Sequence, residues 1–328
     1  MSERRARIQP AMASAALVTL ISLVLLFFMM ILQGTARSSE YQTPQARQSD
    51  QDTVRLNVDL VVLHATVLSS KHVFVSGLRK EDFQVYEGGA LQQIDSFSHE
   101  DIPVTVGLVI DNSGSMRPKR AEVIAAALAF ARSSNANDQI FVVNFNENVS
   151  FGLPANITFT DRVDQLEVAL SRIATNGRTA LYDAVSSALG YLKKGNRDKK
   201  VLIVISDGAD NASSRSLAQV MTMLKESEAI IYTIALFDEG DPYQDPRPLK
   251  QLARVTGGEA FLPESVKEVV PICEQIARDI RNQYTITYSP TNIKYDGSYR
   301  VIQVKAAARG RGGLTVRTRA GYTAPLKP

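Results

Sequence analysis

Between residues 101 and 288 the apolar positions form dense runs without polar alternation. Between the runs lie segments where apolar residues recur every three or four positions. Val104–Ile110, Ile140–Phe145, Val201–Ile205 and Ala229–Leu236 are of the first kind, and each predicts a strand buried on both faces, as in a parallel sheet. Stripes such as Val123, Ile124, Ala127, Leu128 and Ala131, or Val163, Leu166, Ala169, Leu170 and Ile173, predict amphipathic helices. Two more helices are expected from Ala180 to about Lys194 and around Leu217–Leu224. A short helix around Leu249–Val255 should stop at Gly257-Gly258. A short strand at Ala260–Leu262 follows, then a last helix from Val266 to Ile280, expected to bend near Pro271. Strands and helices in alternation predict an α/β domain, doubly wound around a mostly parallel sheet.

The flanks read differently. Val54–Val67 alternates, Lys71–Val75 is a second candidate strand, and Phe83–Glu87 and Leu91–Phe97 are joined by the hairpin signal Gly88-Gly89. Beyond the α/β region Tyr284–Pro290, Tyr299–Ala306 and Leu314–Ala320 alternate as well. Residues 53–98 and 289–328 are therefore expected to be small β-rich segments that pair with each other, bracketing a domain at 101–288. At the N-terminus, residues 1–10 are basic. The uncharged run 11–32 reaches the roughly 20 residues a membrane-spanning helix needs. Arg4, Arg5 and Arg7 before it predict a cytoplasmic N-terminus with the main domain on the other side, periplasmic if the cell is bacterial. Gly34-Thr35-Ala36 offers a small-x-small cleavage signal, so an anchor retained in the membrane and a signal peptide cut to release a secreted protein both stay open. Residues 33–52, rich in Gln, Ser, Thr and Arg, read as a flexible tether.

Composition changes this picture little. The formal net charge of +3 over 328 residues does not point to nucleic acid. The single cysteine, Cys273, excludes an intrachain disulfide and sits in an apolar helical pattern. His64, His72 and His99 match no metal-ligand spacing. From Thr291 onward the chain carries Lys294, Arg300, Lys305, Arg309, Arg311, Arg317, Arg319 and Lys327 against one acid, Asp296. A solvated sheet face is the ordinary explanation, and lipid headgroups or an anionic polymer are the functional one.

The chemistry concentrates where the buried strands end. The first runs into Asp111-Asn112-Ser113-Gly114-Ser115, so a carboxylate and two hydroxyls emerge at the strand's C-terminal end, where open α/β sheets bind ligands. The third ends in Ser206-Asp207-Gly208, and between them Gly177-Arg178-Thr179 opens a helix. Each piece alone is ordinary turn and cap chemistry. Together they put hard oxygen donors on one edge, which suits Mg²⁺.

These pieces resemble the von Willebrand factor type A domain and its metal-ion-dependent adhesion site, over about residues 101–288. Gly257-Gly258 before Ala260-Phe261, and Lys80-Glu81-Asp82-Phe83 ahead of the domain, are similar to the VWFA-related proteins of Acidobacteria. The resemblance implies a six-stranded sheet and one divalent cation, Mg²⁺ foremost, with Mn²⁺ or Ca²⁺ as alternatives. Asp111, Ser113, Ser115, Thr179 and Asp207 would hold it, with Asp183 and Asp210 in support. It also implies a partner protein supplying an Asp or Glu carboxylate to the cation. The function expected is therefore a membrane-anchored binding module and not an enzyme. The alternative is a metal-dependent hydrolase, against which stands the lack of a histidine base or a Ser-His-Asp or P-loop pattern.

Overall fold

A computed structural model of the protein describes residues 60–207, 210–237 and 245–326. The expected membrane segment and tether lie outside the described residues. Among those described, no helix is long and apolar enough to cross a membrane. In chain order the strands β1 (Val61–Ser69), β2 (Phe83–Glu87), β3 (Ala90–Gln92) and β4 (Ile94–Ser98) come first. The α/β part follows with β5 (Val104–Asp111), α1 (Arg120–Arg132), β6 (Gln139–Phe145), β7 (Val149–Phe151), α2 (Val163–Ser171) and α3 (Leu181–Leu192). It continues with β8 (Lys199–Ser206), α4 (Leu217–Lys225), β9 (Ile230–Ala235), α5 (Arg247–Thr256), β10 (Ala260–Phe261) and α6 (Val269–Arg281). The chain closes with β11 (Tyr284–Tyr288), β12 (Tyr299–Ala306), β13 (Leu314–Arg317) and β14 (Gly321–Thr323).

The apolar runs form one six-stranded sheet in the order β10-β9-β8-β5-β6-β7, parallel except for the edge strand β7. Every residue of β5 and β9 is buried, as unalternating strands require. Helices α1, α2 and α6 form one group against the sheet and α3, α4 and α5 another. The backbones are close enough that Gly258 has no room for a side chain: a Cβ there would lie 1.9 Å from the Ile231 carbonyl oxygen.

The flanking segments pair across the whole length of the α/β part. β1 and β4 run antiparallel to β11, and β13 joins β1, giving the order β13-β1-β11-β4; β2 and β14 flank β12 in the order β14-β12-β2-β3. Their inward residues, among them Leu63, Val67, Phe83, Val85, Ile286, Tyr288, Ile302 and Val304, make a second core. The α/β domain is thus inserted between β4 and β11 of a two-sheet β unit.

Five local expectations change. Leu91–Phe97 is not one strand: it breaks at Gln93, with β3 pairing to β2 and β4 to β11. Tyr284–Tyr288, counted with the 101–288 domain, belongs to the β unit, because its partners are β1 and β4. Lys71–Val75 is no strand: a turn with His72 at φ 56° leaves only the bridge Leu68–Phe74. The run 314–320 breaks after Arg317, where the chain bends onto the end of α5 and the Ala320 N–H donates to the Val255 carbonyl. The last helix starts at Val269 after a 3-10 turn over Val266–Glu268, which puts Pro271 in its first turn, where a missing N–H forfeits no intrahelical bond.

Candidate metal centre

β5 and β8 are parallel neighbours paired through Ile110 and Ile205, so Asp111 and Asp207 emerge side by side at the same sheet edge. Both are 2% exposed. The Asp111 Oδ2 accepts from the Ser206 hydroxyl at 2.6 Å and its Oδ1 from the Ser113 N–H at 2.8 Å. The hydroxyls of Ser113 and Ser115 lie 3.2 Å apart, and the Ser115 hydroxyl donates to Asp207 Oδ2. The other oxygen, Asp207 Oδ1, is buried without a hydrogen-bond partner among the described residues. Burial, reinforced by the Asp207 charge, raises the Asp111 pKa to about 7 against the opposing hydrogen bonds from Ser206 and Ser113.

Thr179 reaches this edge on a loop strapped to the Asp111 turn. The Gly114 N–H donates to the Gly177 carbonyl at 3.1 Å and the Asn176 N–H to the Asn112 carbonyl at 2.9 Å. Gly177 adopts φ 79°, a left-handed conformation that favours glycine. The Arg120 guanidinium bonds the Asn112 side chain, the Thr175 hydroxyl and the Ile173 carbonyl, tying the start of α1 to the same loop. Thr179 itself is buried; its N–H donates to Asn211 Oδ1 at 2.8 Å, and its carbonyl accepts the N–H groups of Asn211 and Ala212.

The structure thus joins Asp111, Ser113, Ser115 and Asp207 in one hydrogen-bonded cluster and straps the Thr179 loop beside it. Asp183 and Asp210 have no hydrogen bond to these five. Asp210 accepts from the Tyr182 N–H and the Ser213 hydroxyl; Asp183 accepts from Ser214 and Arg215. Both join the start of α3 to the 210–215 segment, so their support runs through the backbone around Thr179. Three contributors escaped the sequence reading: Ser206, Asn211 and Arg120. For Ser206 a signal existed, since it is a hydroxyl closing the apolar run Val201–Ile205. Nothing local marks Arg120 or Asn211, whose partners lie far along the chain.

The donor set fits a hard divalent cation. Two carboxylates and hydroxyls are all oxygen, and one buried carboxylate oxygen lacks a partner among the described residues. Among the described residues no group of three or more His, Cys, Asp or Glu side chains is placed to hold a metal, so the hydroxyls are indispensable to any site here.

The structure therefore defines a Rossmann-like α/β domain with an acid-and-hydroxyl centre at the C-terminal edge of its sheet. Residues 106–209 match the sequence model of the von Willebrand factor type A domain. Its fold is similar to a von Willebrand factor type A protein from Catenulispora acidiphila, at 14% identity over 83% of this chain and 75% of that one, with a TM-score of 0.50. It is also similar to the vWF domain of the type V pili tip protein Mfa5 from Porphyromonas gingivalis (15% identity, 55% of this chain, 95% of that one, TM-score 0.47). A third similar structure is proximal thread matrix protein 1 from the mussel byssus with a zinc-occupied MIDAS motif (17% identity, 56% of this chain, 50% of that one, TM-score 0.47). No curated protein matches the chain.

Proposed function

We propose that this protein is a binding module that holds one divalent cation, Mg²⁺ foremost, and through it captures an Asp or Glu carboxylate of a partner protein. The observation that carries the reading is the buried Asp207 Oδ1, without a partner among the described residues, beside a second buried carboxylate and two hydroxyls. Two buried acids side by side repel unless a cation or a proton lies between them. Ser113, Ser115 and Asp207 would hold the ion, with Thr179 from its strapped loop. Asp111 would act mainly by fixing Ser206 and the Ser113 backbone, since each of its oxygens already accepts a hydrogen bond. A bound Mg²⁺ supplies Lewis acidity toward one further oxygen ligand. With few anionic residues around it, such an ion would keep affinity for an external carboxylate. Binding, not catalysis, is the role we propose, with the 11–32 segment keeping the module outside the cytoplasmic membrane.

The test is thermal unfolding of the full chain in Mg²⁺ and in EDTA, paired with capture of partners from membranes under both conditions. Mg²⁺ at a hundred times its dissociation constant adds about 2.7 kcal/mol. Asp207→Ala should abolish that increment and EDTA should release whatever is captured. Identical melting of wild type and variant, with and without the ion, would sink the cation reading. For topology, protease added to intact spheroplasts should digest the main domain, and full protection would refute the extracytoplasmic placement.

A further inference from the structure

We infer that one tip of the β unit is a docking surface for an anionic lipid bilayer. This inference stands apart from the cation site and does not rest on it. The antiparallel register pairs Ser69 with Leu314, so the turn after β1 and the loop before β13 leave the same end of the sheet side by side. The Gly77 backbone approaches the same place, with the Arg311 Nη2 3.9 Å from where its Cβ would stand. The short helical turn Lys80–Asp82 joins it through the Ala307 N–H, which donates to the Asp82 carbonyl at 2.8 Å.

Five cations gather there: Lys71, Arg79, Lys80, Arg309 and Arg311, all exposed. None makes an ion pair with a described residue, although other arginines of the β unit, Arg300 and Arg317, are paired with acids. Among the described residues the acids of the tip's own segments are Glu81 and Asp82; Glu259 and Asp279, which line the groove beside His72 and Val73, are paired with Arg317. Asp82 is half-buried, with its Oδ2 accepting the Arg79 N–H at 2.7 Å, so the tip keeps a net positive charge. The loop bearing Arg309 and Arg311 has left-handed glycines at Gly310 and Gly312, which leaves its backbone open to close approach by a headgroup.

A soluble polyanion would account for the charges alone. The bilayer is favoured by Val73, which stands 62% exposed in the turn between Lys71 and Phe74. An exposed apolar side chain two residues from Lys71, on a tip whose cations lack ion pairs to described residues, matches an interface where phosphates meet acyl chains.

The experiment uses the full chain with Val73→Cys carrying an environment-sensitive fluorophore, since the native Cys273 is buried. It is reconstituted in vesicles of phosphatidylcholine, with or without phosphatidylglycerol. The emission should shift to the blue only with phosphatidylglycerol, and high salt should reverse the shift. In Arg309→Gln/Arg311→Gln the ratio of shifted to unshifted protein should fall about fivefold per charge removed. Lys193→Gln/Lys250→Gln, exposed lysines of the α/β part, should change nothing. No shift, or an equal shift on neutral vesicles, overturns the proposal. So does a shift produced by soluble polyphosphate and not by vesicles, which would reassign the tip to a polyanion.

Discussion

Single side chains decide whether the sheet edge can hold an ion. Ser206 is not expected to touch the proposed cation, yet its hydroxyl holds Asp111 Oδ2 in a buried site. Groups that orient ligands in this way typically set affinity by 10- to 100-fold. Ser206→Ala should therefore leave the domain folded and weaken Mg²⁺ by about 10- to 100-fold, read from the ion concentration needed to raise the melting temperature. Another side chain, His64 of β1, governs the acid response. Burial, helped by the charges of Lys199 and Arg319, lowers its pKa to about 3. Its unfolded value is 6.5, so below that pH the unfolded chain takes up a proton that the folded one refuses. The stability this neutral histidine contributes is complete above pH 6.5 and is lost as pH falls toward 3. At pH 5 the loss should reach about 2 kcal/mol. Urea unfolding at pH 7.5 and pH 5 checks it: His64→Gln should flatten the difference by that amount, and an unchanged difference would exclude His64 as the source.

At the level of elements, the contrast between dense and alternating patterns carried most of the architecture. β5 and β8 were legible because the apolar runs Val106–Ile110 and Val201–Ile205 go uninterrupted up to Asp111 and to Ser206-Asp207, and parallel neighbours must bring those ends to one edge. The pattern could not show partners distant in the chain. Tyr284–Tyr288 reads as a strand from its alternation, but only its pairing with β1 assigns it to the β unit. The turn at 70–74 carries strand-like residues, and a left-handed His72 overrides their propensity. Of the site, the oxygen donors were visible as residue types, whereas the Asn211, Arg120 and Gly177 contacts that place the Thr179 loop depend on folded loops. Glycines test the same distinction. Gly258 needs a hydrogen in place of Cβ because the Ile231 carbonyl is 1.9 Å away, whereas Gly190 in α3 has nothing within 4 Å. Gly258→Ala should cost about 1–3 kcal/mol or more through backbone displacement. Gly190→Ala should stabilise by about 0.5–1 kcal/mol through helix propensity. Chemical denaturation of the two variants should move in opposite directions, and a shared direction would contradict the packing of one of them.

Over the whole molecule, the inserted α/β domain and the β unit are joined by buried polar contacts as well as by two chain crossings. Arg317 of β13 pairs with Glu259 ahead of β10 and with Asp279 of α6. The Lys199 ammonium caps the end of α6 by donating to the Ile280 carbonyl at 2.8 Å, and Arg281 pairs with Asp101 and Asp138. Gln283, fully buried, donates to the Thr66 and Tyr232 hydroxyls, one on each side of the junction. Such a helix end cannot move without carrying β13 or breaking these bonds. The two cores should accordingly unfold together, with one transition by tyrosine fluorescence and by circular dichroism. Arg317→Met tests the link. It leaves Asp279 and Glu259 near the junction without their cation, and removing one partner of a buried pair costs about 3–5 kcal/mol. The three groups are partly shielded and not wholly dry, so the lower end applies here. Burial already raises the Asp279 pKa to about 6 with the Arg317 charge opposing the rise, so without Arg317 it should rise further. Arg317→Met combined with Asp279→Asn should recover part of the loss, because the orphaned carboxylate is gone. A double-mutant cycle by urea denaturation reads the coupling directly: a sum of two independent losses would mean that Arg317 joins the domains through Glu259 alone.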